Sequence, residues 1–363
     1  MTGRRFDAQV VLSPRDSERG RLLERFVRAR ITRMNRIDVG LFDFDWHHSI
    51  YFFIVSPDEQ IYLRYGGRDA VSADSYLDLD SFTLALRAGL EEHERWLAGE
   101  LPASPRPPPF FARELDRLRV QELERGRCVE CHMIGDYRAA AREREGTLDK
   151  RREMFRSPNV RDLGIHLDVP RGLVVERAEG AAMAAGLLPG DAIVNFAGSR
   201  VLTFGDLLYA YDGLDRTATR LPLTVERPGA GPVELVIGLP LQWWVSDIAY
   251  RYWSIDPQTH LTTAPLTEAR KRDLGFDPEG FACEVTRVNA RAGVLELHDL
   301  RPGDVIYSVD GVESDPAVRD CLVYLRLNVT AGEPLDLGVL RDGVRTPMTV
   351  RTYRQRFRKL GTP

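Results

Sequence analysis

The sequence predicts a multidomain α+β chain, in which an α/β segment is followed by two copies of one β-rich module. Three observations lead there. The chain has 363 residues, 43% hydrophobic and 29% charged, the balance of several globular domains. Prolines 102, 105, 107, 108 and 109 break the chain with a stiff spacer. Beyond residue 160 the sequence repeats itself at a nearly constant offset, the signature of duplicated domains.

In the first hundred residues, 15–26 read as a charged helix with Leu22, Leu23 and Phe26 on one side, and 27–32 alternate as a strand would. Residues 50–55 are a continuous apolar run suited to a buried strand. Ser56-Pro57-Asp58-Glu59 turns the chain, and 61–65 return as the hairpin partner. A helix capped at Asp80-Ser81 runs to Leu97 with Phe82, Leu86 and Leu90 in one stripe. This order is similar to the later part of a thioredoxin fold, so residues 1–100 are expected to be a thioredoxin-like domain, N-terminally incomplete. The resemblance is to topology and implies no redox activity, because no cysteine precedes Cys128 and His48-Ser49 stand where thioredoxins carry a proline. An upstream extension supplying a first strand, a dithiol and an export signal is expected. His47-His48 as a metal pair is disfavoured, since neighbours in extended chain point to opposite faces; a buried or turn-lining role is expected instead.

Residues 101–157 form the Pro-rich spacer, a short helix with Leu115, Leu118 and Leu123, and the stretch Cys128-Val129-Glu130-Cys131-His132. Two thiols three apart with an imidazole directly after is the pattern of covalent haem c attachment. The thiols of Cys128 and Cys131 would hold the haem vinyl groups, and His132 would be the proximal metal ligand, with Met154, His166 or Met183 as candidates for the distal side. Three other readings stay open: a zinc site completed by His166 or Asp136, a dithiol switch in which His132 tunes a thiol, and chance. Residues 136–156 read as an exposed helix stopped by Ser157-Pro158.

The repeat pairs Asp162-Leu163-Gly164-Ile165 with Asp273-Leu274-Gly275-Phe276, and Leu188 to Ile193 with Arg301 to Ile306. It also pairs Ala182 to Gly186 with Ala290 to Gly293, and the strands Leu221 to Arg227 and Leu335 to Arg341. Small residues, then Pro-Gly-Asp and an apolar strand, resemble bacterial PDZ domains over 158–240 and 272–354, which are small β-barrels with helices. The resemblance implies peptide-binding loops at Leu163-Gly164-Ile165 and Leu274-Gly275-Phe276, presenting backbone N–H groups to a C-terminal carboxylate. Helices near 204–211 and 317–325 would wall the grooves, and an extended peptide would add as a strand. The alternative is a groove filled by the protein's own chain, favoured in the second copy by Pro278. Residues 241–271 are an aromatic linker around Trp243, Trp244, Tyr252 and Trp253, read as a brace.

The formal net charge is -4, with no basic surplus of the kind nucleic acid requires. No run suits a membrane span and no signal peptide is visible. Haem c is attached outside the cytoplasm, so a periplasmic or cell-envelope location is expected. Cys283 and Cys321 lie apart from each other and from the motif and are expected to be separate, small buried hydrophobes. No Gly-Asp-Ser-Gly-Gly segment supports a serine protease, and whether the chain is an enzyme stays open. The order of segments resembles a group of bacterial tandem PDZ-domain proteins with an N-terminal thioredoxin-like segment and a CxxCH motif. That group has no settled activity, so the resemblance implies architecture and not a reaction. The expected function is an exported, c-type haem-bearing redox or electron-transfer protein that docks on protein C-termini or extended peptides. The alternative is a non-enzymatic PDZ scaffold whose cysteine motif is a thiol switch or structural.

Overall fold

The computed structural model describes residues 2–48, 50–69, 71–248, 250–251 and 253–355, with backbone only for 2–4. The chain is α+β and divides into two units. One comprises Met1–Tyr137 and Phe155–Arg251; the other comprises Arg138–Met154 and Tyr252–Pro363. The expected thioredoxin-like segment and first module therefore belong to one compact unit.

Two helices open the chain, α1 (Thr2–Val11) and α2 (Glu18–Leu23), the latter capped by the Ser17 side chain. α1 was not expected; Phe6 and Val10, four apart, bury one face of it. The apolar run forms β1 (Tyr51–Val55), paired antiparallel with β2 (Ile61–Gly66). The turn between them is held by the Ser56 hydroxyl, which accepts from the amides of Asp58 and Gln60. α3 (Leu79–Leu97) starts at Asp78, whose carboxylate accepts from the amides of Asp80 and Ser81. Phe6, Leu23, Leu63, Tyr65, Phe82 and Leu86 close a core among these elements. Residues 27–32, predicted as a strand, run without a ladder partner, so the sheet here holds two strands among the described residues.

The proline stretch is fastened down along the hairpin rather than free. Ser104 donates its amide to Gln60, Arg106 pairs with Glu59 and Asp38, and Val39 donates to the Phe110 carbonyl. Gly40 lies so close that a Cβ would sit 2.3 Å from the Pro108 carbonyl. A 3-10 turn (Ala112–Glu114), α4 (Asp116–Leu118) and a π-helical turn (Arg119–Leu123) follow, with Leu118 fully buried. α5 (Cys131–Glu145) contains the boundary between the units, and α6 (Lys150–Glu153) belongs to the second.

The first module begins with a 3-10 turn (Val160–Leu163) that ends on Gly164 at φ 86°. A Cβ on Gly164 would lie 2.0 Å from the Glu179 carbonyl, so only glycine fits. β3 (Ile165–Leu167) pairs with β4 (Val175–Ala178), then α7 (Gly180–Ala184) leads to β5 (Ala192–Phe196) and β6 (Ser199–Arg200). α8 (Phe204–Gly213) carries a Thr203/Asp206 capping box. β7 (Arg220–Arg227) and β8 (Gly231–Gly238) complete a sheet ordered β6-β5-β7-β8. Trp243 stacks on Tyr211 and Trp244 meets Phe155, so this part of the aromatic linker is packed inside the first unit.

The second module runs β9 (Pro257–Gln258), β10 (Leu261–Pro265), α9 (Glu268–Asp273), β11 (Cys283–Val288), α10 (Ala290–Val294) and β12 (Val305–Val309). It ends with α11 (Cys321–Asn328), β13 (Pro334–Arg341), β14 (Val344–Arg351) and β15 (Tyr353–Arg354). Its sheet is ordered β10-β11-β12-β13-β14, and β15 pairs with β9. Cys283 and Cys321 are not separate buried thiols: they form a disulfide joining β11 to the first turn of α11, inside the core with Phe281, Ile306 and Leu337. Thirty-eight positions hid the pairing, because the contact depends on how helix and strand pack.

The two modules repeat each other bond for bond around Pro-Gly-Asp. The amides of Gly190 and Gly303 donate to the carbonyls of Val175 and Val285. The buried carboxylates of Asp191 and Asp304 take two-pronged bonds from Arg227 and Arg341 at 2.7–2.8 Å. Burial alone would raise both carboxyls, but these arginines and the amides of Leu188 and Arg301 hold them below the ordinary value.

Candidate functional site

The cysteine motif sits at the start of α5. Val129 anchors it: its side chain is buried, its carbonyl accepts from Met34 and its amide donates to the Asn35 side chain. Cys128 is exposed. Cys131 is mostly covered, and burial pushes its thiol up to about 11. The His132 ring is three-quarters covered and lies 3.5 Å from the Glu130 carboxylate. Burial pulls its pKa below the ordinary value despite that carboxylate. Met133 and Ile134 turn into the core.

As a donor set, two thiols and a neutral imidazole match haem c. The surroundings do not: Glu124 to Cys128 and Glu130 are all exposed, and apart from Cys128 they are charged residues or glycine, so they supply no apolar wall for a porphyrin. Of the candidate distal ligands, Met154 is fully buried, Met183 is exposed on α7, and His166 lies between Arg177 and Glu179. Of the candidate zinc partners, Asp136 is buried and His166 is engaged as described. Among the described residues no cluster of three or more His, Cys, Asp or Glu is arranged to hold a metal.

His47 and His48 line a buried turn, as expected. The turn is organised by Asp45, which takes Arg251 in two bonds of 2.7 and 2.5 Å, with both side chains essentially inaccessible. Arg251 also donates to the Arg156 carbonyl and to the Tyr250 hydroxyl. Burial would raise the Asp45 carboxyl, but Arg251 and the neighbouring histidines hold it well below the carboxylate range. Burial lowers His48 to about 4, so its ring is neutral at neutral pH. Sequence spacing could not show this network, since Asp45 and Arg251 are more than two hundred positions apart.

In the first module, Leu163 and Ile165 point into the core and the Gly164 amide donates to the Arg161 carbonyl. The helical wall α8 is buried on two faces. Leu207 and Tyr211 face the module's own core, where Tyr211 meets Phe196. Phe204 and Leu208 are covered by the N-terminal segment: Gly67 lies so near that a Cβ on it would be 2.8 Å from the Phe204 ring and 3.4 Å from Leu208, and Tyr76 stacks on Phe204 at 3.4 Å.

In the second module the residues expected to form a carboxylate loop close a helix. Leu274-Gly275-Phe276 is the C-terminal cap of α9. The Phe276 amide donates to the Lys271 carbonyl and the Gly275 amide to Arg272, with Gly275 at φ 72°, the paired bonds of a Schellman motif. Both N–H groups are thus spent on the helix, and Phe276 packs under Tyr307. The position matching Gly164 is His260: it has φ 57°, and its carbonyl accepts from Asn289 as that of Gly164 accepts from Glu179. Leu261 and Thr263 on β10 pair with Val288 and Val285, as Ile165 and Leu167 on β3 pair with Ala178 and Val175. Leu-Gly-apolar serves both structures, so sequence alone could not separate them. Among the described residues β10 keeps a ladder on one edge only, with Thr262, Ala264 and Pro265 exposed, whereas Leu261 packs on the cluster holding Cys321 and Leu325 of α11.

No family model and no curated protein matches the chain. Among solved structures, it is similar to the HtrA-type protease AlgW with a decapeptide, at 16% identity and a TM-score of 0.23, over 48% of this chain and 58% of that one. A variant of that protease with a decapeptide gives 16% identity and a TM-score of 0.24, over 39% and 43%. The variant with a tripeptide gives 22% and 0.22, over 35% and 42%. The chain thus spans about half the length of these structures, and at such TM-scores the likeness carries no argument about what it binds or does.

Proposed function

We propose that this chain is a non-enzymatic, PDZ-type interaction protein that takes up an extended peptide as a strand beside β10 of the second module. The observation that carries the reading is the open edge of β10, whose Leu261 packs on the cluster holding Cys321 and Leu325 of α11, whereas in the first module α8 is already covered. An open strand edge beside an apolar helix is the geometry of strand addition, with the backbone supplying affinity and side-chain contacts the selectivity. The Cys283–Cys321 bridge supports an oxidising compartment, hence a periplasmic or envelope location.

The test is a titration of the full chain with a fluorescein-labelled decapeptide that ends in an apolar residue with a free carboxylate. Thr263→Pro, which removes a backbone donor and distorts the edge, should weaken binding at least about tenfold, and amidating the peptide should weaken it too. Unchanged binding by the Thr263→Pro protein would place the site elsewhere.

The haem-bearing electron-transfer reading is a second proposal, favoured by the exposed Cys128 thiol and the neutral His132 ring. It lacks an apolar wall beside the motif. Protein made alongside a haem-maturation system decides it: a haemochrome spectrum and a mass raised by one haem establish it, and a bare mass with two titratable thiols rejects it.

A further inference from the structure

We infer that the first module's groove is a docking surface for the chain's own segment around Gly67, Asp69 and Tyr76, so that the two modules divide into one internal and one external binder. This rests on the PDZ-type reading of the modules.

A groove-walling helix needs one face in its own module and leaves the other for a ligand. α8 has Leu207 and Tyr211 on the first face, and its second face, Phe204 and Leu208, is buried as well. What buries it comes from the N-terminal segment. Gly67 stands at φ 131° with so little room that a Cβ would lie 2.8 Å from the Phe204 ring. Tyr76 lies parallel to the same ring, 8° from coplanar.

Between these two contacts the segment presents a carboxylate. Asp69 is 4% exposed and reaches Arg161, in the turn that leads into Gly164, at 3.2 Å. Its other oxygen is fixed by the amides of Val71 and Ser72 and the Ser75 hydroxyl. An apolar contact on the helix and a carboxylate on the basic residue of the loop are what a peptide with a free C-terminus would offer. The segment is also anchored at the helix end, where the Arg64 amide donates to Asp206 and the Thr203 hydroxyl bonds the Arg64 carbonyl. Further along, Leu84 of α3 lies near the turn beyond β3, where a Cβ on Gly172 would be 3.9 Å from it.

The test counts peptide equivalents on the full chain, using the same labelled decapeptide at saturation. Asp69→Asn combined with Tyr76→Ala should free the groove and add about one equivalent, and adding Arg161→Ala should remove it again. Asp69→Asn alone keeps the ring stack and should add a second, weaker equivalent; it is read in place of the double variant if that fails to fold. Folded variants that gain nothing overturn the inference. The wild-type count tests only the β10 site: none in the wild type with one gained in the variant would sink that site and keep the internal ligand.

Discussion

Removing the Cys283–Cys321 bridge should destabilise the second module by about 4 kcal/mol. The two residues are 38 positions apart. Closing a loop of that length removes roughly 13 cal/mol/K of entropy from the unfolded chain, or about 4 kcal/mol at 25 °C. For a unit of this size that is a fall in Tm of roughly 10–20 °C. Because the chain has two units, the transition should be followed with a probe confined to the second, such as hydrogen exchange of β11 and β13 amides, so that its stability is not averaged with the first. Cys283→Ala with Cys321→Ala and reduction under denaturant should give the same loss within about 1 kcal/mol, after allowance for the small cavity. Thiol counting supplies the check on the premise. Unreduced protein in denaturant, made without haem maturation, should show two reactive thiols, those of Cys128 and Cys131, and four after reduction. Four thiols before reduction in protein from an oxidising compartment would refute the pairing, and a loss below about 1 kcal/mol would refute the loop argument.

Arg251→Met should cost about 3–5 kcal/mol in the first unit, since it strands the buried Asp45 carboxylate, and Asp45→Asn in the same protein should recover part of the loss in a double-mutant cycle followed by urea unfolding. His48 titrates near 4 in the folded chain and near 6.5 unfolded, so below pH 6.5 the unfolded state binds the extra proton. Its contribution is therefore full above pH 6.5 and is lost as pH falls toward 4, by about 3 kcal/mol, and His48→Gln should flatten the stability profile over that window. Iodoacetamide at pH 8 should modify Cys128 well before Cys131, whose buried thiol stays protonated; peptide mapping by mass spectrometry reads the order, and equal rates would mean the start of α5 opens freely.

Local pattern determined much of the chain unaided. The apolar run at 50–55 and its turn made the hairpin, the stripe of Phe82 and Leu86 made α3, and the duplicated Pro-Gly-Asp marked two modules with the same hydrogen bonds. Each is a short-range effect in which neighbouring residues decide the outcome. The tertiary structure decided what depends on distant residues. It paired Cys283 with Cys321 and buried Asp45 against Arg251. It spent Leu274-Gly275-Phe276 on a helix end while His260 took the loop position, because a left-handed turn before an apolar residue serves either purpose. It also laid Tyr76 on Phe204, so that this face of α8 is covered by the N-terminal segment, since what covers a surface is set by the chain that folds over it.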